Sequence, residues 1–114
     1  MGLYVYIAGP ITKGDQFHNV ASAIQVAEKV RQQGHYPFIP HLTAFWHMFC
    51  LDDRAVSYEK WMEYDFAWIN KCDVMVRIPG ESSGSDREVK YFQDLGRPVF
   101  MGLEEFTKSI MWGL

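Results

Sequence analysis

Apolar residues along this chain alternate between strand-like runs and helical stripes. Leu3-Tyr4-Val5-Tyr6-Ile7-Ala8 is a continuous apolar run of strand length, the pattern of a strand covered on both faces. Gly9-Pro10-Ile11-Thr12-Lys13-Gly14-Asp15 ends it with turn chemistry. From about Phe17 the rhythm becomes helical. Val20, Ala23, Ile24, Ala27 and Val30 share a face, and Gly34 stops the helix. Tyr36 to Ile39 predicts a second strand, ended by Pro40. His41 to Cys50 is too aromatic for an ordinary exposed loop and reads as a loop entering a short helix, partly buried against a second subunit. A longer helix is expected from about Ala55 to Asn70, with Tyr58, Trp61, Met62, Trp68 and Ile69 as its stripe. Asp73 to Ile78 is a third strand. A helix follows to Leu95, stopped by Gly96; Pro98 to Met101 is a fourth strand, and about Glu104 to Ile110 a closing helix.

The order β-α-β-α-β-α-β-α predicts an α/β fold: a small doubly wound parallel sheet of four or five strands flanked by helices, with residues 1–114 as one domain. Ligands in such folds bind beyond the carboxyl ends of the strands. Three segments leave those ends: Gly9 to Asp15, His41 onward, and Pro79 to Glu88. Topology gathers them on one rim.

Glu88 is the sharpest candidate there. Steps of three and four from it reach Tyr91, Phe92 and Leu95, so it falls on the core side of its helix, within the expected first turn. A carboxylate in that position is costly unless something uses it. It reads as a nucleophile or general base, favoured in its ionised form by the helix amino end. The plainer alternative is a capping box, with Ser85 and Glu88 as S-x-x-E. Asp65 sits inside the apolar stripe of the preceding helix, facing the same rim as an acid or an orienter, or else paired structurally with an Arg, Tyr or Trp. Two enclosed carboxylates from different elements can divide acid and nucleophile roles.

Gly9, Ile11, Thr12 and Gly14 form a glycine-containing turn that can present N–H groups to an anion, or serve as an ordinary strand-to-helix turn. Ser82, Ser83 and Ser85 can add hydroxyls. His41 follows a strand end and is placed to bond a ligand, whereas His47 reads as packing or interface. Tyr6 can bring its hydroxyl to the rim, or remain a core tyrosine. Trp46, Phe45 and Trp61 can stack on a base or pack in a core.

Composition narrows the partners. A net charge of −3 and a pI near 5.7 argue against a nucleic-acid polymer. Aromatics at 16% fit an interface or a ring-binding pocket. Cys50 and Cys72 lack metal-ligand spacing and read as reduced, buried thiols of a cytoplasmic protein. No apolar run approaches the roughly 20 residues of a membrane helix, and no signal peptide opens the chain.

Taken together, Tyr6-Ile7-Ala8-Gly9-Pro10-Ile11, Asp65-x-x-Trp68-Ile69-x-x-Cys72-Asp73, and Ser82-x-Gly84-x-x-x-Glu88 followed by Gly96-Arg97-Pro98-Val99 resemble the nucleoside 2-deoxyribosyltransferase superfamily, which includes the 2′-deoxynucleoside 5′-monophosphate N-hydrolases. The resemblance runs from about Tyr4 to Phe100. It implies a flavodoxin-like (Rossmannoid) fold, a homodimer or higher homo-oligomer with sites near the subunit interface, and glycosidic-bond chemistry on a small nucleotide or nucleoside without metal or cofactor. It implies Glu88 as nucleophile, Asp65 as the paired aspartate that orients or protonates, Tyr6 as the tyrosine beside them, and Gly9, Pro10 and Ile11 as the ligand-contacting turn; Thr12 and Gly84 are further candidate substrate contacts. Ser82 stands where the hydrolases carry a phosphate-binding serine and the transferases an aspartate, and His41 fits a ligand-contacting histidine of the hydrolases. These matches favour a nucleotide hydrolase over a deoxyribosyltransferase; a non-catalytic nucleotide sensor is a third reading. The sequence departs from the family in Thr12-Lys13, where the hydrolases often carry arginine, and in Val89-Lys90-Tyr91-Phe92 after the glutamate.

Overall fold

A computed structural model describes residues 2–50 and 57–111. Four strands alternate with helices: β1 (Tyr4–Ala8), α1 (Gln16–Gln32), β2 (Tyr36–Phe38), a 3-10 turn (Pro40–Leu42), α2 (Thr43–Phe49), α3 (Tyr58–Ile69), β3 (Val74–Arg77), α4 (Ser83–Asp94), β4 (Val99–Met101) and α5 (Leu103–Met111). The sheet is wholly parallel, in the order β2-β1-β3-β4. The doubly wound α/β architecture expected from the hydrophobic pattern is the one observed. Ala55, the expected start of the third helix, lies outside the described residues.

Strand alternation divides the core in two. Val5, Ile7, Val74 and Val76 pack with Ala23, Ala27 and Val30 of α1 and Phe106 of α5. Tyr6, Ala8 and Met75 face the other way, against Ile69 of α3 and Phe92 of α4. Burying both faces is why the central strands are apolar up to Arg77 at the end of β3.

β1 and β3 are adjacent, but their connections leave in opposite directions along the sheet. Their carboxyl ends therefore open a crevice between the following loops. Three of the helices that border it, α1, α3 and α4, start from a capping aspartate or serine. Asp15 accepts from His18 N (3.2 Å), Ser57 from Lys60 N (3.2 Å), and Ser82 from Ser85 N (3.1 Å).

Several expectations need correction. The fourth helix is capped by Ser82, not Ser85, so Glu88 is its sixth residue, one turn deeper than expected. Leu95 lies past the helix end and is exposed, because Gly96 turns the chain with φ +75. Ile24, Tyr58 and Trp68 are also exposed, as is Cys50, while Cys72 is buried. Trp46, Met48 and Phe49 of α2 face solvent in the single chain.

Candidate active site

The crevice is a cleft of about 680 Å³, within the usual range for small-molecule sites. Gly9, Ile11, Thr12, Lys13 and Gln16 line it from the β1 side. Thr43, Ala44, His47 and Met48 of α2, and Tyr58, Trp61, Met62 and Asp65 of α3, form its outer wall. Ser82, Ser83, Gly84, Ser85 and Glu88 close it from α4. All three loop segments expected at the rim contribute.

Two acids meet in this cleft. Glu88 is 5% exposed and Asp65 4%. The hydroxyl of Tyr6, fully buried on β1, donates to Glu88 Oε2 at 2.6 Å. The glutamate is thus bonded across the sheet and not folded back onto its own backbone, as a capping box would have it. Asp65 Oδ1 has no hydrogen-bond partner among the described residues, although buried polar atoms are nearly always paired. An orphaned acceptor in a ligand-sized cleft marks where a donor from outside the chain would fit.

Burial sets the protonation of both groups. It pushes Glu88 up to about 7, opposed by the Tyr6 hydrogen bond and then by the positive charges of Arg77 and Arg87. Asp65 is pushed up to about 8, first by burial and then by the charge of Glu88. The helix amino end does not dominate at Glu88, because its field fades beyond the first turn. At neutral pH the cleft therefore pairs a carboxylate that ionises readily with an acid that keeps its proton. Tyr6 is raised well above its usual value, mainly by burial, and stays a neutral donor.

The remaining candidates fall in three groups. Gly9, Ile11, Thr12, Ser82 and Gly84 line the cleft beside the acids. The Ser82 hydroxyl oxygen accepts from Ser85 N, which leaves its O–H free to donate. Pro10 faces a smaller concavity of about 330 Å³ next door, shared with Gly14, His18, Gly80 and Glu81. His41 is completely buried and is not among the residues lining the cleft. It sits behind the turn, where a Cβ at Gly9 would stand 3.5 Å from its Nε2. Burial lowers its imidazole to about 4, a shift the Pro10 backbone only partly opposes.

Other residues emerge only in three dimensions. Trp61 Nε1 donates to His47 Nδ1 at 3.0 Å. Indole only donates, so the neutral imidazole carries its proton on Nε2. His47 is thereby an oriented donor on the cleft wall and not mere packing. The Tyr58 hydroxyl lies 2.7 Å from where a Cβ on Gly84 would be, so that glycine makes room for the wall. Arg77, at the end of β3, is buried beneath the loop leading to α4. Its signal in the sequence is a cation inside an otherwise apolar strand run. Among the described residues no cluster of three or more His, Cys, Asp or Glu could hold a metal, and no helix is long and apolar enough to cross a membrane.

A family model described as "Domain of unknown function (DUF7768)" matches residues 3–101. The chain belongs to this family. No match is found among curated proteins. Among solved structures, this DUF7768 chain is similar to a 2-deoxyribosyltransferase from Bacillus psychrosaccharolyticus, with 25% identity and a TM-score of 0.61 over 84% of this chain and 69% of that one. It is also similar to a conserved protein from Enterococcus faecalis V583 (17% identity, TM-score 0.68, 87% and 62% covered). A 2-desoxiribosyltransferase from Leishmania mexicana matches at 21% identity and a TM-score of 0.60, over 85% and 61%. The DUF7768 chain thus shares its α/β fold with 2-deoxyribosyltransferases and spans some three-fifths to two-thirds of the length of these structures.

Proposed function

We propose that this protein is a hydrolase that cleaves the N-glycosidic bond of a nucleoside or deoxynucleoside 5′-monophosphate, with Glu88 as nucleophile. The observation that carries the reading is the buried Tyr6–Glu88 hydrogen bond in a cleft shared with the unpartnered Asp65.

In this scheme the phosphate rests against the turn that follows β1 and the Ser82 hydroxyl at the α4 amino end, where unpaired N–H groups and the helix dipole favour an anion. Tyr6 fixes one oxygen of Glu88 and leaves the other free. That oxygen attacks the anomeric carbon, the carbon–nitrogen bond breaks, and the base departs with the bonding electrons. Asp65, protonated at neutral pH, supplies the proton the base requires. A water then attacks the glycosyl ester, its proton passing to the Asp65 carboxylate, and sugar phosphate leaves as Glu88 is regenerated. The two steps follow the logic of a retaining glycosidase.

The likeness to 2-deoxyribosyltransferases supports a second reading, in which a second base and not water takes the sugar. One experiment separates them. The protein is incubated with a panel of nucleoside monophosphates and nucleosides, with and without an added free base, and the products are separated by chromatography. Released base with sugar phosphate supports the hydrolase, and a new nucleoside the transferase. Glu88→Gln should lower either rate at least 1,000-fold while its circular dichroism matches wild type. Normal turnover in that variant would refute the nucleophile.

The same reading includes a second copy of the chain as partner. Trp46, Met48 and Phe49 are exposed on α2, which also walls the cleft, so a neighbour covering that helix would complete the site's outer side. Sedimentation velocity should give twice the 13.3 kDa chain mass, and a monomer in the Phe49→Glu variant. A wild-type monomer at micromolar concentration would exclude the assembly.

A further inference from the structure

A buried guanidinium is expensive unless its donors are met and its charge is used. Among the described residues Arg77 is the lysine or arginine held in the interior, with 7% of its side chain exposed. Register explains its direction. Met75 is opposite Tyr6 and Arg77 opposite Ala8, so Tyr6, Met75 and Arg77 project from one face of the sheet, toward α3 and α4. Tyr6 and Arg77 are diagonal neighbours there, and Tyr6 holds Glu88.

The donors of Arg77 go to one segment. They reach the carbonyls of Ile78 and Gly80, the latter at 2.9 Å, and Asp86 Oδ1 at 3.2 Å. These acceptors span the loop leaving β3 and the first turn of α4, which bracket the Ser82 cap. Asp86 is 73% exposed, so water screens much of its charge, whereas the guanidinium is enclosed.

We propose that Arg77 is the positioning residue of this site: it clasps the loop after β3 to the start of α4 and sets its fixed charge on the sheet face that carries the Tyr6–Glu88 pair. The inference rests on the reading of Glu88 as nucleophile and adds what keeps it competent. Glu88 is bonded by Tyr6 from β1, and the charged groups that act on its titration are Arg77 from β3 and Arg87 from its own helix, while its own charge acts on Asp65 from α3. Arg87 is half-exposed and paired with Glu59 at 3.0 Å, which leaves Arg77 as the enclosed cation. Arg77 also acts in the sense required, lowering Glu88 against burial. Lysine would keep the charge but lose the planar fork that grips several acceptors at once.

The test titrates Glu88 in the full chain by NMR of 13C-labelled glutamate carboxyls, with Glu88→Gln assigning the resonance. The pH profile of base release from nucleoside monophosphates is measured alongside. Arg77→Gln should raise the Glu88 midpoint by about one pH unit. It should also cut kcat/KM about tenfold at pH 6, with recovery toward pH 8.5. Arg77→Lys should leave the midpoint within a few tenths of a unit and raise KM for the nucleotide several-fold. Arg77→Met keeps the buried stem without an unpaired donor and replaces the Gln variant if that one does not fold. An unmoved midpoint in the uncharged variant, or an unchanged KM in Arg77→Lys, overturns the proposal. The titration needs no turnover, so the two readings fail separately. A midpoint that depends on Arg77 without base release sinks the hydrolase; base release with a midpoint blind to Arg77 sinks the positioning role.

Discussion

One hydroxyl serves two ends at Ser82. Its oxygen accepts from Ser85 N and caps α4, while its proton remains available to the cleft. Alanine removes both functions, and they can be told apart. Loss of the cap should lower stability by about 1 kcal/mol, read as a shift in the urea midpoint. Loss of the donor should raise KM for a nucleoside monophosphate about tenfold and leave cleavage of the unphosphorylated nucleoside within a factor of two. Equal effects on both substrates would show that Ser82 does not contact the phosphate. At this scale the sequence is legible wherever a residue breaks a pattern. Glu88 and Asp65 each interrupt an apolar stripe, and the structure buries both in one cleft. His47 and Tyr58 break no pattern. Their place on the wall comes from contacts between elements, Trp61 with His47 and Tyr58 with Gly84, which no local period encodes.

Among the elements, α4 does most to define the cleft, and its start is where local rules and tertiary structure diverge. Ser82, Ser83 and Ser85 are each good caps by residue type. Ser82 is the one that accepts from a backbone N–H, Arg77 bonds Gly80 and Asp86 on either side of it, and Gly80 with φ +129 lets the chain turn tightly against Pro10 just before it. A Cβ on Gly80 would come within 2.6 Å of Pro10 Cγ, so the two loops at the crevice are in contact and separate it from the smaller concavity. The strands were easier to read. Their apolar runs reflect burial on both faces, and the observed β1 and β3 lie inside the expected limits. Helix stripes run further along the sequence than the burial they imply. Ile24, Tyr58, Trp68 and Leu95 fit the period, yet the facing layer does not extend to cover them in the single chain. Periodicity reports which side a residue occupies, not how far the neighbouring element reaches.

For the molecule as a whole, His41, Asp65 and Glu88, three of the shifted buried groups, give folding a pH signature. His41 is lowered from 6.5 to about 4, so the unfolded chain binds a proton there that the folded chain refuses, and stability is lost as pH falls through that window. Asp65 and Glu88 have the opposite sign. Raised from 3.8 to about 8 and from 4.5 to about 7, they hold protons in the fold that the unfolded chain releases. Their contribution is fully present below about pH 4 and is lost as pH rises toward 8. Between pH 5 and 6.5, His41 and His35, lowered in the same sense by its own burial, offset the two acids. Above 6.5 they no longer do, and stability should fall most steeply there. Urea midpoints measured from pH 5 to 8.5 should therefore decline at the alkaline side. Asp65→Asn removes the larger of the acid shifts while keeping the side-chain shape. It should be more stable than wild type at pH 8 than at pH 5, by a margin on the order of 2 kcal/mol. It should also slow base release, since amide nitrogen cannot supply the leaving base with a proton. Parallel curves for Asp65→Asn and wild type would show that Asp65 titrates as it does in water, and would remove the acid from the proposed mechanism. Such a result would also conflict with burial at 4% exposure, because a carboxylate so enclosed and unpartnered can ionise only at the expense of the fold.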